Sequence, residues 1–286
     1  MANVIVTALA PLVWGTSYAV ATEFLPGFDP FLVAALRALP AGLLLIAWSR
    51  ARPPRGWWLR TFVLGTLNIG LFFGLLFFAA YRLPGGVVAT VGAVQPLVVM
   101  LLSRVVMGEQ LRPAAIGCAL AGFVGVALLV ATPTQAFDTL GLVAAFGAAL
   151  SMASGIVLTK RWGVPMPLTA YTGWQLVAGG LVLAVVAAVR IDVPPAFDPR
   201  AFVGLGWLAL VGAALAYRLW FRGLQKLRHA WQVSILGLLS PLIAVTIGWL
   251  LLGQSLTPLQ LLGAALVAAS VVLTQLPVVV AATGSA

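Results

Sequence analysis

Long apolar runs alternate with short polar connections along the whole chain. An α-helix needs about 20 predominantly apolar residues to cross the hydrocarbon core of a bilayer, and Pro, Gly or charged residues bound each run. The pattern predicts an all-α polytopic membrane protein with ten transmembrane helices. The predicted spans are residues 4–22, 30–48, 60–80, 85–104, 113–131, 139–159, 168–189, 201–221, 231–252 and 258–276.

The composition excludes a soluble protein. Of 286 residues, 62% are hydrophobic and only 8% are charged, and the mean hydropathy is +1.11. A soluble globular domain carries about 25% charged residues. Ten spans joined by short connections leave little chain for any extramembrane domain, so the function must reside inside the membrane.

The basic residues report topology and not a nucleic-acid partner. The net charge is +10, but these residues form no long basic run or aromatic-basic stripe, so no nucleic-acid partner is expected. Assigning the connections to alternating sides gives eleven basic residues on one side and three on the other, which places both termini in the cytoplasm by the positive-inside rule. The larger set is Arg50, Arg52, Arg55, Arg60, Arg104, Arg112, Lys160, Arg161, Arg222, Lys226 and Arg228, and the smaller is Arg82, Arg190 and Arg200.

The chain repeats itself internally. A shift of 145 residues superposes Gly92, Pro96, Gly108 and Pro113 on Gly237, Pro241, Gly253 and Pro258, and a shift of 137 superposes Ser17, Thr22 and Pro30 on Ser154, Thr159 and Pro167. The predicted units are residues 1–137 and 138–286, with five helices each. Because five is odd, the second unit enters the membrane from the opposite side, and such inverted repeats underlie alternating access in many secondary transporters.

These features resemble the drug/metabolite transporter superfamily, specifically its ten-helix EamA-type members. The resemblance covers essentially the whole chain and is carried by Trp14-Gly15, Pro30 to Arg37, Gln95-Pro96-Leu97, Gly108-Glu109-Gln110-Leu111, Ser240-Pro241-Leu242 and Gly253-Gln254-Ser255-Leu256. Two positions depart from the family pattern: Gln254 replaces an acid, and Ser151-Met152 lies where an aromatic is common.

The resemblance implies a multi-pass exporter of small metabolites or drugs in a bacterial inner membrane, with helices 1, 3, 4, 6, 8 and 9 around a central cavity. Within the family, the chain is most similar to YddG-type exporters of aromatic amino acids. The implied partners are a small-molecule substrate and the lipid bilayer, and we expect a monomer.

Polar and aromatic side chains near mid-span are the candidates for substrate binding, since a bilayer makes them costly without a role. Their alternative role is helix packing through interhelical hydrogen bonds. The predicted substrate-binding residues are Trp14, Ser17, Tyr18, Asn68, Gln95, Ser154, Tyr217 and Ser240.

Pro96 and Pro241 are predicted hinges near the middle of helices 4 and 9. Each lacks an N–H and disrupts the bond to the carbonyl one turn earlier, at Gly92 or Gly237. The freed carbonyls could face a ligand, or waters and neighbouring hydroxyls could satisfy them.

Arg37 lies seven residues into helix 2, roughly 10 Å below the outer boundary. A cation at that depth needs a partner. It could bind backbone carbonyls, extend outward toward Asp29, or meet a substrate carboxylate. A structural role is the favoured interpretation, since the family pattern places this arginine in members with dissimilar substrates.

Chemistry that needs acids or metal ligands is not expected. No acid lies in the middle of a span, and Cys118 and His229 are the single cysteine and histidine, so we predict no enzyme activity, cofactor or metal. The cavity should carry an uncharged or zwitterionic solute. A multidrug exporter of lipophilic compounds is the main alternative, and a passive channel is another.

Export should be insensitive to a pH gradient, because a carboxylate relay is the usual device for proton coupling in a membrane. In proteoliposomes, flux of labelled substrate should be the same with and without an imposed gradient. A strong dependence on the gradient would overturn the argument from the missing acids.

Overall fold

The computed structural model describes residues 1–83, 85–130, 138–190, 197–251 and 255–276, apart from the Tyr18 side chain. Every regular element in these ranges is helical, which confirms the prediction of an all-α fold. The helices are α1 (Ala2–Phe24), α2 (Pro30–Ser49), α3 (Trp58–Ala80), α4 (Gly86–Met107), α5 (Pro113–Leu129), α6 (Thr139–Trp162), α7 (Leu168–Arg190), α8 (Pro199–Lys226), α9 (Ala230–Leu251) and α10 (Pro258–Thr274).

Each of these helices overlaps one predicted apolar run. Eight are long and apolar enough to cross a membrane, whereas α5 and α10 are shorter apolar helices. The largest boundary difference is in α8, which was predicted to end at residue 221 and continues to Lys226. Its last turns bury Phe221 and Leu224, and this packing extends the helix beyond the uniformly apolar run.

Three of the few acids act as helix caps. The side chain of Asp29 accepts the N–H groups of Phe31 and Leu32 at 2.9 and 3.1 Å and begins α2. Asp138 and Asp198 cap α6 and α8 in the same way. The backbone N–H of Gly141 donates to the Asp138 carboxylate at 2.7 Å and lowers the pKa of that group. Capping satisfies N–H groups that a helix start leaves without partners.

The helices pair in a regular way. α2 packs along α7, and α5 packs along α10. α1 contacts α8 and α9, while α6 contacts α3 and α4. Where α5 meets α10, glycines bring the backbones together, since a Cβ added at Gly125 would lie 3.0 Å from the Gly263 carbonyl oxygen. Close approach through small residues is the usual basis of helix association in lipid.

Four helices are irregular. α3 contains a π-helical turn at Thr66–Gly70, and α8 contains a longer one at Trp207–Leu215. α4 is interrupted between Gly92 and Gln95, and α9 is interrupted between Leu236 and Leu239. Widened turns and interruptions change which backbone groups lack an ordinary helical partner, and they often occur at functional sites.

Gly125→Ala should destabilise the protein by about 1–3 kcal/mol, because the new methyl group would press on the α10 backbone. Gly117→Ala on the same helix is the matched control. Apart from its own helix backbone and its two chain neighbours, no described atom lies within 4 Å of a Cβ at Gly117, and alanine favours the helix. Thermal unfolding in detergent should show a lower midpoint for Gly125→Ala only, and equal midpoints would contradict close packing of α5 on α10.

Candidate functional site

A cavity of about 370 Å³ lies among α1, α2, α3, α4, α6, α8 and α9. The helix set includes all six that the family resemblance implies, together with α2. Most of the wall is apolar, and six aromatic side chains contribute to it: Trp14, Phe72, Phe73, Phe77, Tyr217 and Trp220. The polar side chains on the wall are Ser17, Arg37, Gln95 and Ser240.

Trp14 is the centre of an aromatic cluster on one side of the cavity. Its ring centroid lies 5.0 Å from that of Tyr217 and 5.1 Å from that of Trp220, with both pairs tilted by about 55°. Such tilted pairs are favourable beyond the area that they bury. Elsewhere on the wall, Phe73 and Phe77 of α3 stack at 5.6 Å. The cavity wall therefore carries two groups of aromatic side chains.

Arg37 is 6% exposed and lines the cavity. Its Nη2 donates to the carbonyl oxygen of Gly212 at 2.9 Å, and its guanidinium lies 5.1 Å from the ring centroid of Phe73. A carbonyl dipole and an aromatic face are the partners available to a buried cation without a carboxylate. Three partners were considered for Arg37 from the sequence: backbone carbonyls, Asp29 and a substrate carboxylate. In the structure, its partner is a backbone carbonyl. Asp29 instead contacts Arg190 at 3.3 Å.

The Gly212 carbonyl accepts a second hydrogen bond. The indole Nε1 of Trp14 donates to the same oxygen at 3.0 Å. Gly212 lies in the π-helical turn of α8, and π-helical turns often occur at functional sites. One backbone atom therefore fixes the positions of an aromatic and a cationic side chain on the cavity wall.

Several donors on the cavity wall have no hydrogen-bond partner in the described part of the chain. They are the Ser17 hydroxyl, Arg37 Nε, Gln95 Nε2 and Trp220 Nε1. Buried polar groups in proteins are nearly always hydrogen-bonded to protein or water. Four residues of the cavity wall therefore each carry a buried donor that no described group of the protein satisfies.

Among the predicted site residues, Trp14, Ser17, Arg37, Gln95, Tyr217 and Ser240 line this one cavity. Tyr18 lies on α1, and its side chain is outside the described part of the structure. Asn68 and Ser154 do not line the cavity.

Asn68 lies in the π-helical turn of α3 and is fully buried against α6 and α7. Its Nδ2 donates to Gln175 Oε1 at 2.9 Å. The turn directs the side chain into helix packing and away from the cavity. Ser154 is partly exposed, three residues beyond Ser151, whose hydroxyl donates to the Leu67 carbonyl. These positions match the packing alternative that sequence reasoning left open.

The two helix interruptions border the cavity. Gln95 follows the interruption in α4, and Pro96 comes in the first turn of the segment after it. In α9, Gly237 and Ser240 both reach the cavity. The Gly237 carbonyl was predicted to be free but accepts the N–H of Ser240 at 3.0 Å, because the chain makes a tight turn there.

Sequence reasoning missed the apolar part of the wall, most clearly Phe73, Phe77 and Trp220. In a chain with 14 Phe and 10 Trp, an aromatic residue alone does not separate a cavity from a lipid-facing surface. The spacing of Phe73 and Phe77 on one helical face is the one available signal. Gly212 gave no sequence signal, since its role lies in the backbone.

The fold and the cavity define the class of the protein: a helical, multi-pass membrane protein with an internal cavity lined from both halves of the chain. The family is then clear from sequence. A model of the EamA-like transporter family matches residues 1–131 and 139–276, so the chain belongs to that family of membrane transporters. The predicted family resemblance is confirmed.

Relatives and a solved structure agree with the assignment. The chain is 47% identical over 268 residues to Protein PecM of Dickeya dadantii, covering 93% of this chain and 90% of PecM. It is 28% identical to a probable amino-acid metabolite efflux pump of Salmonella typhimurium, over 91% of this chain and 90% of the relative. One crystal structure of a protein superposes with a TM-score of 0.80 at 22% identity, covering 96% of both chains, and supports the fold.

Asn68→Ala should lower stability without changing ligand affinity, because Asn68 pairs with buried Gln175 outside the cavity. Removing one partner of a buried hydrogen bond costs about 1–3 kcal/mol. Gln95→Ala is the comparison and should weaken ligand binding. Thermal unfolding and calorimetric binding on the same samples separate the two effects. If the folded Asn68→Ala variant binds the ligand more weakly than the wild type does, Asn68 is part of the binding site and this prediction is wrong.

Proposed function

We propose that this protein is a secondary transporter that exports small neutral or zwitterionic metabolites, aromatic amino acids among them, by alternating access. The observation that carries the proposal is the cavity with aromatic walls and unpaired donors, bordered by the two interrupted helices α4 and α9. Carriers commonly bind their substrates between repeats, at broken helices.

The chain consists, in this proposal, of two inverted repeats, residues 1–137 and 138–286. Exchanging each helix with the one five places later maps the contacts of α1 with α8 and α9 onto those of α6 with α3 and α4. The same exchange relates the π-helical turns of α3 and α8 and the interruptions of α4 and α9. The two separate matches to one family model also support the repeat.

All ten helices cross the membrane in this arrangement, with both termini in the cytoplasm of a bacterium and the protein in its inner membrane. The distribution of basic residues supports the orientation. α5 and α10 are short, but they pack along each other, and helices of about 17 residues are at the lower limit for a span.

The amino-acid class of substrate has two sources of support. Six aromatic side chains on the cavity wall favour a planar aromatic ligand, through offset or edge-to-face contacts. One relative is named a probable amino-acid metabolite efflux pump. A multidrug exporter of lipophilic compounds is the alternative, since an apolar wall by itself also accepts such compounds.

Alternating access requires that one side of the cavity be closed. On the proposed cytoplasmic side, every residue of the first segment of α9, Ala230–Leu236, is buried. Lys160 donates to the carbonyls of Leu224 and Leu227, and Glu109 lies 3.1 Å from His229. These contacts support a state closed to the cytoplasm, with Pro96 and Pro241 as hinges for the change to the opposite state.

Purified protein in liposomes should give saturable flux of labelled Phe, Tyr or Trp, with acceleration by unlabelled substrate on the far side. Gln95→Ala and Trp14→Ala should each reduce the flux about five- to tenfold, because a lost ligand hydrogen bond or aromatic contact is worth roughly 1–1.5 kcal/mol.

Cys118→Ala is the matched control, since this residue lies on α5 away from the cavity. No flux of any of these amino acids would contradict the substrate. Flux without acceleration from the far side would indicate a channel. Competition by lipophilic cations would favour the multidrug alternative.

A further inference from the structure

We propose that the cavity recognises its substrate through a carboxylate and not through an ammonium group. The inference rests on the proposed function and names the ligand group that the site recognises. Aromatic carboxylic acids should bind whether or not they carry an amino group, and aromatic amines should bind poorly. Amino acids would be substrates through their acid end.

Arg37 provides the charge for this recognition. It is 94% buried, it lines the cavity, and it has no carboxylate partner within the described part of the chain. The Gly212 carbonyl occupies Nη2, whereas Nε has no hydrogen-bond partner there. A guanidinium that is held in place by one nitrogen and has a second nitrogen without a partner is suited to a carboxylate oxygen, because charge-assisted bonds to carboxylates are strong and directional.

The other unpaired groups on the wall match the same ligand chemistry. Gln95 Nε2 and Trp220 Nε1 are donors that cannot accept a hydrogen bond, and the Ser17 hydroxyl can donate as well. A carboxylate offers two oxygens with about four acceptor sites and no donor, so it is the ligand group that best matches a wall carrying donors.

The five acids that the structure describes lie away from the cavity. Asp29, Asp138 and Asp198 cap helices, and Glu109 contacts His229. Glu23 is exposed near the end of α1. None of these described acids lines the cavity. An ammonium group would therefore meet a buried cation without a counter-ion, and its available partners would be neutral oxygens and aromatic faces.

The electrostatic field in the cavity therefore favours anionic ligand groups over cationic ones. Arg37 attracts a carboxylate and repels an ammonium through a medium of low dielectric, where such interactions are much stronger than in water. The aromatic walls bind the ring of either ligand equally. Differences among ligands with the same ring should consequently report the charged group alone.

The test is a calorimetric binding series on wild-type protein in lipid nanodiscs with four ligands that share an indole ring. Indole-3-propionate has only the carboxylate, tryptamine only the ammonium, tryptophan both, and 3-methylindole neither. Indole-3-propionate should bind at least about tenfold more tightly than tryptamine, with tryptophan between the two, because a hydrogen bond to a charged group is worth at least one factor of ten.

Variants assign the effect to Arg37. Arg37→Gln should weaken indole-3-propionate about tenfold or more and leave 3-methylindole unchanged, while Arg37→Lys should retain part of the preference. Arg218→Gln is the matched control, since Arg218 is exposed on α8 and its Nε contacts Thr169. If Arg37→Gln does not fold, Gln95→Leu is the second variant. It should weaken the binding of indole-3-propionate, but by less than the loss of about tenfold expected for Arg37→Gln.

The outcomes separate the two proposals. Equal affinity of the acid and the amine, or an acid preference that Arg37→Gln leaves intact, would overturn carboxylate recognition while aromatic transport stands. Tighter binding of tryptamine would also overturn it and favour export of lipophilic cations. Absence of binding by all four ligands would count against the proposed function itself.

Discussion

The carbonyl oxygen of Gly212 is the point on which the cavity depends. It accepts hydrogen bonds from Arg37 of α2 and Trp14 of α1 and so joins three helices through one backbone atom. This oxygen lies in the π-helical turn of α8, and through it the buried Arg37 has a partner without an acid. The arrangement fixes Arg37 on the cavity wall.

Irregular helices recur in both halves of this protein. Widened turns in α3 and α8 and interruptions in α4 and α9 occur in pairs five helices apart. In lipid, a backbone group that leaves the helical ladder must find another partner, so such features persist only inside the bundle or beside a cavity. The α8 turn binds two side chains of the cavity wall, and the α3 turn directs Asn68 into a buried amide pair. Equivalent irregularities thus have different roles in the two halves.

Much of the fold follows from the sequence, and the site follows in part. Runs of apolar residues with Pro and Gly at their ends located the helices, because a helix needs about 20 apolar residues to cross a bilayer. Arg37, Gln95 and Trp14 were recognisable from the sequence, because side chains with polar groups are rare near the middle of a span and costly there without a role. Asn68 met the same criterion but lies outside the cavity, because a widened turn sets its direction. Phe73 and Trp220 could not be separated from lipid-facing aromatics, because that distinction depends on which helix face meets which neighbour.

The location of a bound aromatic acid is the most direct test of the central claim that this cavity is the substrate site. A crystal structure with 5-bromoindole-3-propionate would locate the ring by the anomalous signal of bromine and the carboxylate by its density. The bromine should lie between the aromatic groups around Trp14 and Phe73, with a carboxylate oxygen within hydrogen-bond distance of Arg37 Nε. A bromine position on the lipid-facing surface, or a carboxylate directed away from Arg37, would contradict the account.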